Sequence, residues 1–357
     1  MWRTIRDCRR GQHARNPALR PGGGARRLRA LRIVRRQSGL RRCPATAMRL
    51  TSDAQGVYPI APTPFHADGR IDHGSIDRLV DFYLAVGASG LTVLGQLGEA
   101  SKLEHAESLD VATRMIRRAA SLPVVVGVSA PGFAAMRALT REVMDRGAAG
   151  VMIAPPNTLR TDEQIVGYYR QAVQAIGADV PFVLQDYPLT FSVQMTPDVI
   201  RRIHTELPSC AMLKHEDWPG LEKISTLKSW VAEGAMRALP ILVGNNALFL
   251  DYEMERGADG ANTGYAFPDM LVDVVRMSRA GQREDAHDLF DAHLPLLRYE
   301  QQPGVGLSVR KYLLHRRGLL ASPALRVPAT PMSAAARAEV EHLLARLARH
   351  DARAQVA

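Results

Sequence analysis

One lysine is the residue of this sequence whose type and position most clearly suggest chemistry. Lys214 follows the apolar run at 210–213, which is typical of a buried strand. Because side chains of a strand alternate between its faces, Met212 and Lys214 share a face, and the amine lies at the strand's carboxyl end. Burial there disfavours the ammonium form, and the neutral amine is the form that attacks a ketone. Two other interpretations stay open: the amine extends to solvent, or it pairs with Glu216.

Further polar side chains follow other apolar runs. Gln185 and Tyr187 are two positions apart at the end of one run, so both can face inward. Thr63 lies in a Pro-Thr-Pro segment, where backbone restriction by the prolines explains it as well as a role in the site. The remaining candidates for substrate binding follow two more runs and are Gln96, Leu97, Gly98, Asn262 and Thr263.

Several site classes are not expected. His215, Glu216 and Asp217 lack the H-E-x-x-H spacing, and the three cysteines include no C-x-x-C pair, so we predict no metal site. No G-x-G-x-x-G follows the first apolar run, which argues against a dinucleotide cofactor. No window approaches the roughly 18 apolar residues that cross a bilayer, so we expect no membrane partner.

The elements that position these residues alternate along the chain. Between the apolar runs lie segments with helical spacing, as in Ile76, Leu79, Val80 and Tyr83. Eight strand–helix pairs with a period near 30 residues predict a (β/α)8 TIM barrel over 48–281. Three helices are predicted in a C-terminal helical region over 282–357, with Ser333 as a candidate N-cap. The predicted strands lie at 57–65, 90–95, 123–129, 150–156, 181–188, 210–216, 240–246 and 260–266.

The basic charge of the chain is concentrated in its first 47 residues. The formal net charge is +10, and residues 1–47 hold 14 arginines and one acidic residue. The other residues have 32 basic and 35 acidic side chains, so we expect no nucleic-acid partner for the folded part. We expect disorder in 1–47. Translation that starts at Met48 is the favoured explanation, and a targeting segment or an RNA-binding arm are the alternatives.

From about residue 56 to 317 the chain resembles the dihydrodipicolinate synthase / N-acetylneuraminate lyase family of class I aldolases and dehydratases. The resemblance rests on G-x-x-G-E at 95–99, the segment ending in Pro188, Lys214, and GADGANTG at 257–264. It implies a (β/α)8 barrel with a C-terminal helical extension, commonly assembled as a homotetramer. It also implies a Schiff base between Lys214 and a 2-oxo acid, with no other cofactor.

The resemblance also assigns roles, and the sequence departs from some of them. The G-x-x-G-E loop holds the carboxylate of the 2-oxo acid in the family, usually with hydroxylated residues where this chain has Gln96 and Leu97. The family tyrosine that relays protons is replaced by Gln185, which cannot act as an acid or base near neutral pH. We hypothesise that Tyr187 supplies the missing hydroxyl; packing at the rim is the alternative. The arginine expected just after Pro188 is absent, and the segment with Asn262, Thr263 and Tyr265 is also unlike the synthase pattern.

These observations predict a cytoplasmic, metal-independent lyase, either an aldolase or a dehydratase. Its substrate is predicted to be pyruvate or another 2-oxo acid, such as a 2-keto-3-deoxy sugar acid. Dihydrodipicolinate synthase is the alternative enzyme. A barrel that binds 2-oxo acids without catalysis is the alternative from another class of protein.

Overall fold

Eight parallel strands form the centre of the protein in a computed structural model that describes residues 48–218 and 220–356. The strands follow the predicted apolar runs, although most are shorter than those runs. They are β1 (Gly56–Val57), β2 (Leu91–Val93), β3 (Val124–Gly127), β4 (Gly150–Ile153), β5 (Phe182–Asp186), β6 (Cys210–His215), β7 (Ile241–Val243) and β8 (Gly260–Ala261).

The sheet closes on itself. Its strand order is β1-β8-β7-β6-β5-β4-β3-β2, and a parallel bridge pairs Ile60 with Thr92 to join the two ends. The amide of Ala61 donates to the carbonyl of Thr92 at 2.9 Å, and the amide of Thr92 donates to the carbonyl of Pro59 at 3.0 Å. The predicted (β/α)8 barrel is therefore confirmed.

Helices cover the outside of the barrel and continue beyond it. The predicted face of the first helix is buried, since Ile76, Leu79, Val80 and Tyr83 are all at most 3% exposed. Twelve helices lie in the part of the chain that the structure describes. They are α1 (His73–Ala85), α2 (His105–Arg118), α3 (Phe133–Asp145), α4 (Asp162–Ile176), α5 (Pro188–Phe191), α6 (Pro197–Glu206), α7 (Leu221–Ala232), α8 (Leu250–Glu255), α9 (Pro268–Arg279), α10 (Arg283–Glu300), α11 (Gly306–Arg316) and α12 (Ala334–Leu347).

The apolar core divides between the two faces of the strands. Along β5, Phe182 and Leu184 belong to the large core under the helices, whereas Val183 belongs to a smaller cluster inside the barrel. Met212 of β6 belongs to the same inner cluster. This alternation follows from the two-residue period of a strand. It directs Lys214, two residues after Met212, towards the open end of the barrel interior.

The C-terminal region is helical, as predicted. Helices α10, α11 and α12 cover most of the three predicted segments, and the Ser333 hydroxyl caps α12 by accepting from the amide of Ala336 at 3.1 Å. Both the barrel and these helices belong to one compact unit of the chain. The predicted disordered segment 1–47 lies outside the described residues. Among those that are described, no helix is long and apolar enough to cross a membrane.

Candidate active site

A cavity of about 640 Å³ opens at the carboxyl ends of the strands. This is the end at which (β/α)8 enzymes hold their substrates. The cavity brings together residues from separate strands and from the C-terminal helices. Six of the predicted site residues line it, namely Gln96, Leu97, Gln185, Tyr187, Lys214 and Thr263.

Lys214 lies in the cavity wall in contact with a carboxylate. The residue is 3% exposed, and its Nζ is 3.0 Å from Oε2 of Glu216. The same Oε2 accepts a hydrogen bond of 2.7 Å from Nε2 of Gln185. Gln185 is the direct register partner of Lys214 between β5 and β6, which explains why the three side chains meet. The pairing of Lys214 with Glu216 is thus observed.

The loop after β7 fixes the position of Glu216. The amide of Asn245 donates to Oε1 of Glu216 at 3.0 Å. A Cβ on Gly244 would lie 2.4 Å from Cγ of Glu216, so only glycine leaves room for this side chain. Asn245, Asn246 and Ala247 all have positive φ angles, between 48° and 60°. Such backbone strain is held in place by surrounding contacts and is frequent at functional sites.

The G-x-x-G-E loop is braced from outside the cavity. Glu99 is buried, binds Nζ of Lys311, and contacts Nζ of Lys102 at 2.7 Å. Burial lowers the pKa of Lys311 to about 8, against the effect of the Glu99 carboxylate. Thr63 takes part in the same bracing, because its hydroxyl donates to the carbonyl of Gly98 at 2.6 Å and its own carbonyl accepts from Lys311 at 2.7 Å. Thr63 and Gly98 therefore shape the loop without lining the cavity.

The two predicted residues of the β8 end differ in their surroundings. Thr263 lines the cavity, and its hydroxyl donates to the carbonyl of Gly264 over 3.4 Å. Asn262 is fully buried and is absent from the cavity wall. Neither its Oδ1 nor its Nδ2 has a hydrogen-bond partner among the described residues.

Tyr187 lies at the rim of the cavity. It immediately precedes α5, and its ring packs edge-on against Phe191 with 6.2 Å between the ring centroids. Burial raises the pKa of the Tyr187 hydroxyl, which interacts with Thr190 and Gln301. Gln185 and Tyr187 both line the cavity, and the role of Tyr187 as a proton relay stays a prediction.

Sequence reasoning missed several residues of the cavity. Glu216 was considered only as an ion-pair partner, although its place two residues after Lys214 was a signal that both face the same side. Asn246, Glu300 and Arg310 also line the cavity. No spacing in the sequence connects them with the strand ends, because α10 and α11 reach the barrel only through tertiary packing.

The described part of the chain holds no group of three or more histidine, cysteine, aspartate or glutamate side chains that could bind a metal ion. The polar groups that converge in the cavity are an amine, two carboxylates, amides, hydroxyls and a guanidinium.

Comparisons with known proteins agree with this arrangement. The family model described as "Dihydrodipicolinate synthetase family" matches residues 53–347. This chain belongs to that family. Its members are lyases and dehydratases that act through a lysine Schiff base on pyruvate or a related 2-oxo acid, and this chain is an enzyme of that class.

Individual members of the dihydrodipicolinate synthetase family carry different names. L-2-keto-3-deoxyarabonate dehydratase of Azospirillum brasilense is 31% identical over 303 residues, which cover 82% of this chain and 94% of that protein. The 4-hydroxy-tetrahydrodipicolinate synthase of Methanothrix thermoacetophila is 27% identical over 82% of this chain and 97% of its own length. A crystal structure of dihydrodipicolinate synthase from Rhodopseudomonas palustris is 67% identical, with a TM-score of 0.83, and covers 84% of this chain and 99% of that one.

Proposed function

We propose that this protein is a dehydratase of a 2-keto-3-deoxy sugar acid, with Lys214 as the residue that forms the imine and Glu216 as its acid and base. The observation that carries the proposal is the contact of Lys214 with a buried carboxylate that Gln185 holds in place. A carboxylate beside the amine can move protons, whereas the amide of Gln185 cannot.

Imine formation prepares the substrate for elimination. Nζ of Lys214, after it releases one proton to solvent, attacks the C2 carbonyl carbon. The carbonyl oxygen then leaves as water, with one proton from Nζ and one from solvent, and Nζ keeps the last proton in the iminium. The resulting iminium withdraws electrons from the neighbouring carbon and makes the C3 protons acidic. Glu216 lies 3.0 Å from Nζ, so its carboxylate is within reach of atoms next to C2.

A single carboxyl group can complete the elimination. Glu216 takes a proton from C3, and the electrons of that bond form an enamine with C2. The C4 hydroxyl then leaves with the proton from Glu216 as water, which creates a double bond between C3 and C4. Glu216 is thereby returned to its starting form, and hydrolysis of the imine releases the product and restores Lys214.

The remaining predicted residues are proposed to bind and orient the substrate. Gln96, Leu97 and Thr263 contact it directly from the cavity wall, whereas Thr63 and Gly98 hold the loop in shape. Asn262 supports the end of β8 from a buried position. Tyr187 closes the rim, where its hydroxyl can contact the sugar hydroxyls.

The two kinds of relative favour different reactions. The Azospirillum brasilense protein is named a dehydratase of a 2-keto-3-deoxy acid, which supports the proposed reaction. Dihydrodipicolinate synthase is the second candidate, because the Rhodopseudomonas palustris structure carries that name at 67% identity. Condensation with aspartate semialdehyde needs a group for a second carboxylate, and the residue after Pro188 is Leu189 here. We therefore favour dehydration.

One experiment separates these functions. The protein is supplied with 2-keto-3-deoxyarabonate and related sugar acids, and loss of water is followed by mass spectrometry. A parallel reaction contains pyruvate and aspartate semialdehyde. Dehydration without condensation supports the proposal, and condensation without dehydration contradicts it.

Borohydride reduction in the presence of pyruvate should leave a mass adduct on Lys214. Absence of an adduct with every 2-oxo acid tested would favour a binding protein without catalysis.

The enzyme is further proposed to work without a metal, as a homotetramer in the cytoplasm. Activity that survives dialysis against a chelator would support the first point. Sedimentation of the full chain gives its oligomeric state, and a chain that stays monomeric while fully active would contradict the second. Fractionation of cells that produce the full chain tests the third.

A further inference from the structure

A buried arginine of the C-terminal helices reaches the cavity with part of its guanidinium unused. Arg310 lies on α11 and is 3% exposed. Its Nε donates to Oε1 of Glu300 at 2.5 Å, and its Nη2 donates to Oδ1 of Asn246. Nη1 has no hydrogen-bond partner among the described residues. An unsatisfied charged donor at such a buried position carries a large desolvation cost unless a ligand or water meets it.

The unused nitrogen lies against the G-x-x-G-E loop. A Cβ built on Gly264 would be 1.8 Å from Nη1 of Arg310 and 2.7 Å from Cδ1 of Leu97. The tip of the guanidinium and the Leu97 side chain are therefore neighbours at the end of β8. Because Gly264 has no side chain, the arginine can approach this point.

The charges of the cavity leave few choices for an anionic ligand. Among the residues that line it, Lys214 and Arg310 are the basic ones. Lys214 is required at C2 and already faces Glu216. Gln96 and Leu97 bring no hydroxyl donor to the loop. Arg310 is thus the cation that can join the G-x-x-G-E loop, to which the family resemblance assigns the carboxylate, in binding a 2-oxo acid that Lys214 attacks.

We propose that Nη1 of Arg310 donates to the C1 carboxylate of the 2-oxo acid and selects such acids over ketones that lack a carboxylate. This role rests on the proposed imine chemistry at Lys214. Nη1 is buried, and Leu97, which lines the cavity, is its neighbour beside Gly264. In this proposal the carboxylate therefore displaces the Leu97 side chain. Leu97 then acts as an apolar cover that keeps water from the donor until the anion arrives.

Two buried side chains make Arg310 a rigid donor. Glu300 and Asn246 occupy Nε and Nη2, which fixes the plane of the guanidinium and leaves Nη1 as the free end. Glu300 is itself held by the amide of Ala266 at 3.1 Å. Burial raises the pKa of Glu300, and the nearby guanidinium opposes that shift. Glu300 and Asn246 are positioning residues in this scheme.

The test compares two ligands that differ in the carboxylate. Borohydride trapping on Lys214 is titrated with pyruvate and with hydroxyacetone, a ketone without a carboxylate. For Arg310→Met we expect the half-saturating concentration of pyruvate to rise about 10- to 100-fold, as for the loss of one charged hydrogen bond. The half-saturating concentration of hydroxyacetone should change less than about twofold. Methylguanidinium added to Arg310→Ala should restore part of the pyruvate affinity.

Two further variants keep the test decisive. In Gly264→Ala the new methyl group displaces the guanidinium while Arg310 remains. This variant should raise the half-saturating concentration of pyruvate and leave that of hydroxyacetone unchanged. Arg353→Met removes a partly buried arginine after α12 that binds Asp351 at 2.7 Å and is absent from the cavity wall. It should leave the half-saturating concentrations of both ligands unchanged. Equal weakening of both ligands in the Arg310 and Gly264 variants, or none, would overturn the proposal. A wild-type protein that traps neither ligand would instead contradict the imine chemistry itself.

Discussion

The two faces of β5 and β6 carry the same kinds of side chain and use them differently. On the cavity face, Gln185, Lys214 and Glu216 meet beside an open volume of about 640 Å³. On the face towards α7, Asp186 and His215 meet Lys223. Both groups contain a lysine in contact with a carboxylate in a largely buried setting.

The group under α7 is enclosed by the fold. Nζ of Lys223 lies 2.8 Å from Oδ2 of Asp186 and 2.6 Å from Oδ2 of Asp217, so two carboxylates surround it. A Cβ on Gly220 would lie 2.0 Å from Nε2 of His215, which indicates how closely the chain covers the ring. Lys223 is absent from the wall of the 640 Å³ cavity. Free volume beside the amine, rather than burial or an ion pair, therefore distinguishes the candidate catalytic lysine.

The largest contrast is expected from replacing each lysine. Lys214→Arg keeps a positive charge but removes the amine that can form an imine, so turnover and borohydride trapping should both disappear. Mass spectrometry of the reduced protein measures the adduct. Lys223→Arg is the matched control and should still form the adduct on Lys214. An adduct that persists in Lys214→Arg would assign the imine to another residue.

Replacing Glu216 should separate imine formation from proton transfer. Glu216→Gln preserves the size of the side chain but removes its acid–base function, so turnover should fall about 10²- to 10⁴-fold. Trapping of pyruvate should persist, because Lys214 is still present. Stopped-time assays with the sugar acid, run beside the trapping assay, measure the two steps. Near-normal turnover would exclude Glu216 as the acid and base.

Loss of the ion pairs under α7 should affect stability rather than catalysis. Lys223→Met leaves the Asp186 carboxylate without its closest cation, and breaking a buried pair costs about 3–5 kcal/mol. Urea unfolding gives the free energy of unfolding. The half-saturating pyruvate concentration of the folded variant should stay within about twofold of wild type, because the ion pairs of Lys223 do not contact the ligand. A specific loss of trapping in a fully folded variant would link the two faces functionally.

The sequence predicted the barrel well but the strands only in part. The run at 57–65 was predicted as a strand, whereas β1 spans Gly56–Val57. Pro59, Pro62 and Pro64 have no amide hydrogen to donate to a ladder, so continuous pairing is impossible there. The predicted count of eight strand–helix units is nevertheless correct. It depends on the repeated order of apolar and helical segments rather than on the length of any strand.

The candidate site was predictable where it depends on strand ends. Lys214 and Gln185 could be identified because the carboxyl ends of parallel strands meet at one end of a barrel. Arg310 could not, since the helical period of α11 indicates which face is buried but gives no information about what that face meets. The left-handed backbone at 245–247, which holds Glu216, could not be predicted either. Asparagine tolerates that conformation, but no sequence pattern requires it at three successive residues.

Glu253 lies on α8 close to Glu216 and Asp217, and it should make the stability of the protein depend on pH. It lines a small enclosed cavity of about 30 Å³ together with Gly244, Asn245 and Asp217. Burial first, and then Asp251 and Glu216, raise its pKa from 4.5 to about 8. The folded protein therefore keeps a proton that the unfolded chain releases above about pH 4.5. Stability contributed by this proton is present at low pH and declines as the pH rises from about 4.5 to 8.

Glu253→Gln should remove that decline. Glutamine resembles the protonated carboxyl, so the free energy of unfolding of the variant should exceed that of wild type by an amount that grows by about 1.4 kcal/mol for each pH unit in this range. Urea unfolding at pH 5, 6 and 7 measures the difference. Asp198→Asn on the exposed surface serves as the control. A difference that does not change with pH would mean that Glu253 is ionised in the folded protein.

The smallest effect on turnover is expected from replacing Tyr187. It tests how far proton transfer in the cavity depends on the tyrosine hydroxyl. The Tyr187 hydroxyl interacts with Thr190 and Gln301 at the rim, whereas Glu216 contacts Lys214 directly. If Glu216 moves the protons, Tyr187→Phe removes only a neutral hydrogen bond of about 0.5–1.5 kcal/mol and should slow turnover by about 2- to 10-fold. Steady-state kinetics beside Glu216→Gln test this ranking. A loss of several orders of magnitude in Tyr187→Phe, with Glu216→Gln nearly normal, would reverse the assignment and make the tyrosine the proton relay.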